Sequence, residues 1–466
     1  MKTVVRGGTV VNASHSGPAD VLVDGEEIVA VGRIGDVDAD EIDASGCFVL
    51  PGMVDNHTHM SMPFQGTRSC DDYDTGTRAA AAGGVTCIVD FALQMHAGGL
   101  QSSLQEWQDR ARGAAHVDYG FHMAITKADD DTLADMERIV ELGVPSFKVF
   151  LAYPGELMIA DDLFLNALER ARDLGGFIMV HAENGMAIDH LVQRARREGR
   201  MDPINHALTR PEEMEAEATS RAVRLAEFAG APVYIVHVSC KRAADEVEAG
   251  QSRGVRVAAE TCAQYLFTSI DDLDRPNFEG ARYVCSPPLR DRANQPHMWG
   301  FLDRGVLESI STDHCPFNSE QKAMGREDFS KIPNGLAGIQ HRLVKMWEHG
   351  VREGRMTPER LVDVCSTAIA RRFGLERKGA IAPGKDADLV IFDPEAEFRF
   401  STDTSHMNVD YDIYDGDVVA GSVRTTLCRG TTVFDRGEIL TQPGHGRFVE
   451  RPPTTLAAPA AAPAAA

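Results

Sequence analysis

Apolar runs and helix-forming stretches alternate through the middle of the chain. Eight short runs rich in β-branched and aromatic residues read as strands: "GMVDNHTH", "GVTCIVDFAL", "DYGFHMAIT", "VPSFKVFLAY", "GFIMVHAEN", "PVYIVHVSC", "VRVAAETCAQYLF" and "LESISTDHCPF". Between most of them lie amphipathic segments such as "DDLFLNALERARDLGG" and "EAEATSRAVRLAEFAG". Strands alternating with helices predict an α/β fold, a (β/α)8 TIM-like barrel ahead of a doubly wound sheet. The two ends have another texture. "KTVVRGGTVVN", "ADVLVDGEEIVAVG" and "DEIDASGCFVLPG" near the start, and "KGAIAPGKDADLVIFDP" and "GSVRTTLCRGTTVFDRGEIL" late in the chain, are short strands with Gly-rich turns. They predict one small β-sandwich built from residues 1–50 and 376–440, beside a barrel over 51–375. Residues 441–466 form an extension whose Pro/Ala-rich end is expected to be disordered from about 451.

The chain has 466 residues, enough for a barrel and a second unit. A net charge of −23 disfavours nucleic acid and anionic membrane as partners. Nine scattered cysteines with no CxxC pair indicate neither a disulfide framework nor a thiolate metal site. They read as reduced, buried thiols of a cytoplasmic protein. "MKTVVRGGTVVN" lacks a signal-peptide apolar run, and no window approaches a membrane span.

Polar residues interrupt these strands at particular places. In "SFKVF" Lys148 stands inside an apolar run, and a buried ammonium persists only if paired, neutralised or chemically altered. Strand alternation puts Ser146, Lys148 and Phe150 on one face, with Phe147 and Val149 on the other. His57 and His59 share a face at i and i+2, His181 is near the end of the fifth run, His237 is in the sixth, and Asp313 is near the end of the eighth. Each alone has an ordinary explanation, as a core histidine, a snorkelling lysine or a turn cap. In a barrel the C-terminal strand ends converge, so all six would meet in one cup. Four imidazoles and a carboxylate suit Zn²⁺ and its neighbours. An ammonium cannot ligate, but a lysine carboxylated by CO₂ becomes an anion with two oxygens, able to bridge two cations.

At these residues the sequence resembles the dihydropyrimidinases and hydantoinases, cyclic amidohydrolases of the amidohydrolase superfamily. The resemblance is carried by "PGMVDNHTHMSMPFQGT", "SFKVFLAY", "VHAENG", "VHVSC", "ETCAQYL", "YVCSPPLR", "STDHCPFN" and "KIPNG". It implies a barrel beside a β-sandwich and two zinc ions bridged by carboxylated Lys148 (N6-carboxylysine) and a hydroxide. His57, His59 and Asp313 would hold the more buried ion, and His181 and His237 the more exposed one. Asp313 would carry the proton, and Tyr153 would hydrogen-bond the substrate carbonyl. Backbone groups of Ser286 and Asn334 would hold the ring amide, and Met62, Phe64 and Phe150 would line the pocket for the exocyclic substituent. The implied partners are a small cyclic ureide or imide and further copies of the chain, as a homotetramer or dimer.

The sequence departs from many such enzymes at Ser61, where they carry Asp, and in "NGLAGIQHRL". Dihydroorotases place an Arg two residues after HxH to clamp a carboxylate; Ser61 stands there. An allantoinase is the harder alternative, although Tyr153 within "SFKVFLAY" favours the hydantoinase-like reading. A mononuclear deaminase would not need Lys148. Non-catalytic scaffold relatives have lost metal ligands, whereas this chain keeps all six.

Overall fold

Eight parallel strands, one from each of the eight runs, form a ring in the computed structural model, which describes residues 2–95 and 99–454. They are β1 (Met53–Thr58), β2 (Val85–Leu93), β3 (Asp118–Ala124), β4 (Ser146–Phe150), β5 (Phe177–His181), β6 (Val233–Ile235), β7 (Val257–Cys262) and β8 (Ser309–Ser311). Each pairs with its sequence neighbour, so the C-terminal ends lie at one rim. Within this ladder Lys148 is opposite Met179 and Phe150 opposite His181. Closure comes just past β8, where Thr58 bridges to His314. There His59 N donates to His314 O at 2.8 Å, and His314 N to His57 O at 3.3 Å.

The strands are almost wholly buried, which explains their near-continuous apolar sequences. Helices cover the outside. The long helix Glu212–Ala229 opens with Glu212, Glu213 and Glu215 in its first turn, favourable for the helix dipole. It ends at Gly230, whose left-handed φ of 58° suits glycine. The run "VRVAAETCAQYLF" is strand only to Cys262; its second half, Ala263–Phe267, is a short helix of good helix formers.

Both chain ends meet beside the barrel. A seven-stranded sheet places Phe48–Pro51 against Leu389–Arg399, with Leu50 opposite Val390. A four-stranded sheet formed from Lys2–Arg6, Asp20–Asp24, Glu27–Gly32 and Asp40–Asp43 packs on it through Val5, Val21, Val23, Val49 and Ile391. The extension returns to the barrel: Val449 N donates to Tyr119 O at 2.7 Å. Of the stretch expected to lose order from about 451, residues 451–454 are described. Arg451 is 2% exposed and donates to the carbonyls of Phe121 and Phe373 and to Ser146 Oγ, three acceptors that pin it in place. The rest of that expectation, residues 455–466, lies outside the described residues. All nine cysteines are free, eight of them buried. Among the described residues no helix is long and apolar enough to cross a membrane.

Arg451→Ala would leave these buried acceptors short of a donor, a loss of about 1–3 kcal/mol. Urea unfolding should show a lower midpoint; an unchanged midpoint would mean that Arg451 does not anchor the extension.

Candidate metal centre and catalytic cavity

The period of two in "HTH" delivers both imidazoles to the barrel mouth. His57 Nδ1 lies 2.5 Å from Glu260 Oε1 on β7, which fixes the ring with Nε2 facing the cavity side. His57 Nε2 and His59 Nε2 approach the same oxygen, Asp313 Oδ1, at 3.2 and 3.1 Å. His181 ends β5, and its Nε2 lies 2.8 Å from Glu183 Oε2, which leaves Nδ1 for another partner. His237 follows β6; its ring centroid is 4.6 Å from that of His181 and 5.3 Å from that of His57. Lys148 is 1% exposed, with Nζ 4.9 Å from the centre of the Phe91 ring and 5.1 Å from that of Phe150.

Burial dominates the protonation of this group. It holds His57 and His237 well below the usual imidazole range, hence neutral and with lone pairs to offer. It pulls the Lys148 ammonium down, against the attraction of Asp313 and Glu260, and pushes the Glu260 carboxyl up. Burial would also raise Asp313, but His57 and His59 outweigh it and keep that carboxyl low. His57 Nε2, His59 Nδ1 and His237 Nδ1 are buried without a hydrogen-bond partner. Buried polar atoms are rarely left so, and neutral imidazoles around a carboxylate are a donor set for a divalent cation. The residues fit a metal.

Three of these side chains sit on strained backbone. Tyr153, His237 and Asp313 have φ values of 65°, 41° and 49°, in the left-handed region that non-glycine residues avoid. Such strain costs about 1–3 kcal/mol per residue and persists where the surroundings over-determine it.

All the residues expected at the site line one narrow cavity of about 40 Å³. Met62, Phe64 and Phe150 form an apolar wall, with Phe64 packed edge-on against Tyr153 at 5.4 Å. Burial, with help from Glu183, raises the Tyr153 phenol, so it remains a hydroxyl donor. Asn334 Nδ2 donates to Ser286 Oγ at 3.1 Å, and Asn334 N to Gln65 Oε1 at 3.1 Å. Leu157 and Cys315 complete the lining and were not expected from sequence.

Nor were the groups behind the imidazoles. Glu260 is fully buried and also accepts from Asn56 Nδ2 and from Tyr234 OH. Its sequence signal was present: a carboxylate within "VRVAAETC" is as anomalous as the lysine in "SFKVF". A second acidic group, Asp118, Asp388 and Cys428, lies under the barrel. Lys378 Nζ is 2.6 Å from Asp118 and 2.8 Å from Asp388, so a lysine already supplies the cation there.

Residues 48–433 match the Amidohydrolase family. The chain is 47% identical over 458 residues to a D-hydantoinase of Streptomyces coelicolor, covering 97% of this chain and 98% of the relative. It is 39% identical over 462 residues to a dihydropyrimidinase of Rattus norvegicus, covering 97% and 89%. The crystal structure of a dihydropyrimidinase from Brevibacillus agri superposes with a TM-score of 0.96 at 46% identity, covering 98% of this chain and 100% of that one. The chain therefore belongs to the amidohydrolase family. Within it, the chain stands among the cyclic amidohydrolases, the hydantoinases and dihydropyrimidinases, with the TIM-barrel fold they share.

Glu260→Gln keeps the shape beside His57 but removes the carboxyl that orients the imidazole. Metal affinity should drop about 10–100-fold. Competition with a chromophoric chelator measures it; unaltered affinity would show that Glu260 does not tune the site.

Proposed function

We propose that this enzyme hydrolyses the cyclic amide bond of 5,6-dihydropyrimidines or 5-substituted hydantoins to N-carbamoyl amino acids, at a binuclear zinc site. The observation that carries the reading is the convergence of His57, His59, Lys148, His181, His237 and Asp313 beside a cavity that also holds Tyr153, Ser286 and Asn334. The kinship with hydantoinases and dihydropyrimidinases supports the same reaction class.

Lys148, its ammonium disfavoured by burial, reacts as the neutral amine with CO₂: the N–C bond forms as one C–O π bond opens onto oxygen, and the proton lost from nitrogen goes to water. The resulting carbamate carries a negative charge where the imidazoles favour a cation. His57, His59 and Asp313 would hold a deeper zinc and His181 and His237 an outer one, with the carbamate of Lys148 as an anionic ligand. Such a metal pair, when bound, supplies an acidified water and a Lewis acid for the ring carbonyl. Tyr153 donates its hydroxyl to the carbonyl oxygen, where negative charge develops during attack. Backbone groups at Ser286 and Asn334 hold the ring amide, and Met62, Phe64 and Phe150 enclose the exocyclic substituent. Both imidazoles of "HTH" approach Asp313 Oδ1, which leaves Oδ2 to take a proton from the attacking water. Asp313 returns that proton to the ring nitrogen as the C–N bond breaks, which makes the amide nitrogen a viable leaving group.

Asp313→Asn should keep the fold and lose about 10²–10⁴ in kcat, the usual weight of a proton-transfer group. Near-normal turnover by that variant would remove Asp313 from the role. Tyr153→Phe should cost about 10²–10³ in kcat, as for one lost oxyanion donor. Lys148→Ala should lose metal and activity together, with partial rescue by short carboxylic acids; retention of two metal equivalents and full activity would make Lys148 structural. A panel of dihydrouracil, D- and L-hydantoins and allantoin, run on zinc-loaded enzyme, tests the reaction class. Failure on every cyclic ureide and imide would reject it.

A further inference from the structure

Lys322 occupies an unusual position. It ends the short helix Ser319–Lys322, which starts nearby in sequence after Asp313 and is held by a capping box between Asn318 and Gln321. The side chain is 1% exposed, and among the described residues no carboxylate pairs with it. Instead, Nζ donates to three backbone carbonyls: Val284 at 2.9 Å, Pro333 at 2.8 Å and Gly335 at 2.9 Å. Burial pulls this lysine down to about 7, and the three carbonyls match the three protons of its charged form. The acceptors belong to two segments far apart in sequence. Val284 is two residues before Ser286, and Pro333 and Gly335 flank Asn334.

We infer that Lys322 is a positioning residue for substrate, knitting together the two backbone segments that grip the ring amide. This rests on the hydantoinase-like reading of Ser286 and Asn334 given above. The carbonyls on either side of Asn334 are tied to one ammonium, which holds that stretch of backbone at the cavity that Asn334 lines. The segment has little freedom to settle elsewhere. Gly335 N donates to Val284 O at 3.0 Å, and a Cβ on Gly335 would lie 2.1 Å from the Cys315 carbonyl oxygen. The thiols of Cys70, Cys285 and Cys315 are all pushed up by burial and therefore neutral, and the Phe317 ring centre lies 5.7 Å from Nζ, so the three carbonyls are its hydrogen-bonding partners.

The test is Lys322→Met, which keeps the length of the stem and removes the donors. Metal content and secondary structure should match the wild type, while KM for the best cyclic substrate rises about tenfold or more and kcat falls by less. That split marks lost binding rather than lost chemistry. Hydrogen–deuterium exchange over residues 332–336 should accelerate in the same variant, a readout that needs no turnover. KM within twofold of wild type with unchanged exchange overturns the proposal. So does a fall in kcat that tracks metal loss at constant KM, which would make the lysine a scaffold residue. If the Met variant does not fold, Lys322→Gln, which restores two donors, undergoes the same measurements; failure of both to fold also counts against a positioning role. Wild-type enzyme that opens no cyclic amide defeats the functional reading instead, while the exchange comparison still reports whether Lys322 orders the segment.

Discussion

Two backbone hydrogen bonds join the first barrel strand to the segment after the eighth, His59 N to His314 O and His314 N to His57 O. Ring closure and assembly of the site are thus one event, because the residue before His314 is Asp313. Buried side chains reinforce the seam. Thr312 Oγ1 donates to Asp55 Oδ2 at 2.7 Å, and Arg342, 1% exposed, donates to the carbonyls of Ile310 and Val54 on the two strands. A slip of one residue here would turn both imidazoles of "HTH" out of the cavity, since side chains alternate along a strand. The left-handed backbone at His237 and Asp313 fits the same picture, as strain tolerated where strand ends must turn inward.

Three of the four lysines buried among the described residues show how the interior handles positive charge. Lys378 is surrounded by Asp118, Asp386 and Asp388, and those carboxylates raise its pKa despite burial. Lys322 has three carbonyls and, at 5.7 Å, the Phe317 ring. Lys148 has neither carboxylates nor carbonyls: among the described residues its ammonium faces the Phe91 and Phe150 rings, with Asp313 and Glu260 acting only through space. The least satisfied of the three is therefore the one beside the imidazoles, where conversion to an anion relieves most.

The barrel was legible because its evidence is local and repeated: eight apolar runs, separated by amphipathic stretches. The site was legible because His, Lys and Asp interrupt those runs near their C-terminal ends. What escaped depends on contacts between distant segments. Nothing local in "SEQKAMG" marks Lys322 as buried, since its carbonyl partners come from residues 284, 333 and 335. Arg451, in "ERPPTT", borders a low-complexity tail, yet its partners lie on β3, on β4 and at Phe373. Glu260 carried a signal as strong as that of Lys148. A search for metal ligands passes over it because it touches an imidazole rather than the place of a metal.

The reach of Arg451 has a consequence for synthesis. It bonds Ser146, two residues from Lys148 and on the same strand, from a position some three hundred residues later in the chain. The sheet beside the barrel is divided in the same way, with Phe48–Pro51 waiting for Leu389–Arg399. A growing chain on the ribosome can therefore form neither the complete floor of the barrel nor its neighbouring sheet until nearly all of it has emerged. At about 5–20 residues per second the early strands spend tens of seconds with apolar edges uncovered. The order in which those edges are covered is thus set by synthesis, whatever the stability of the finished fold.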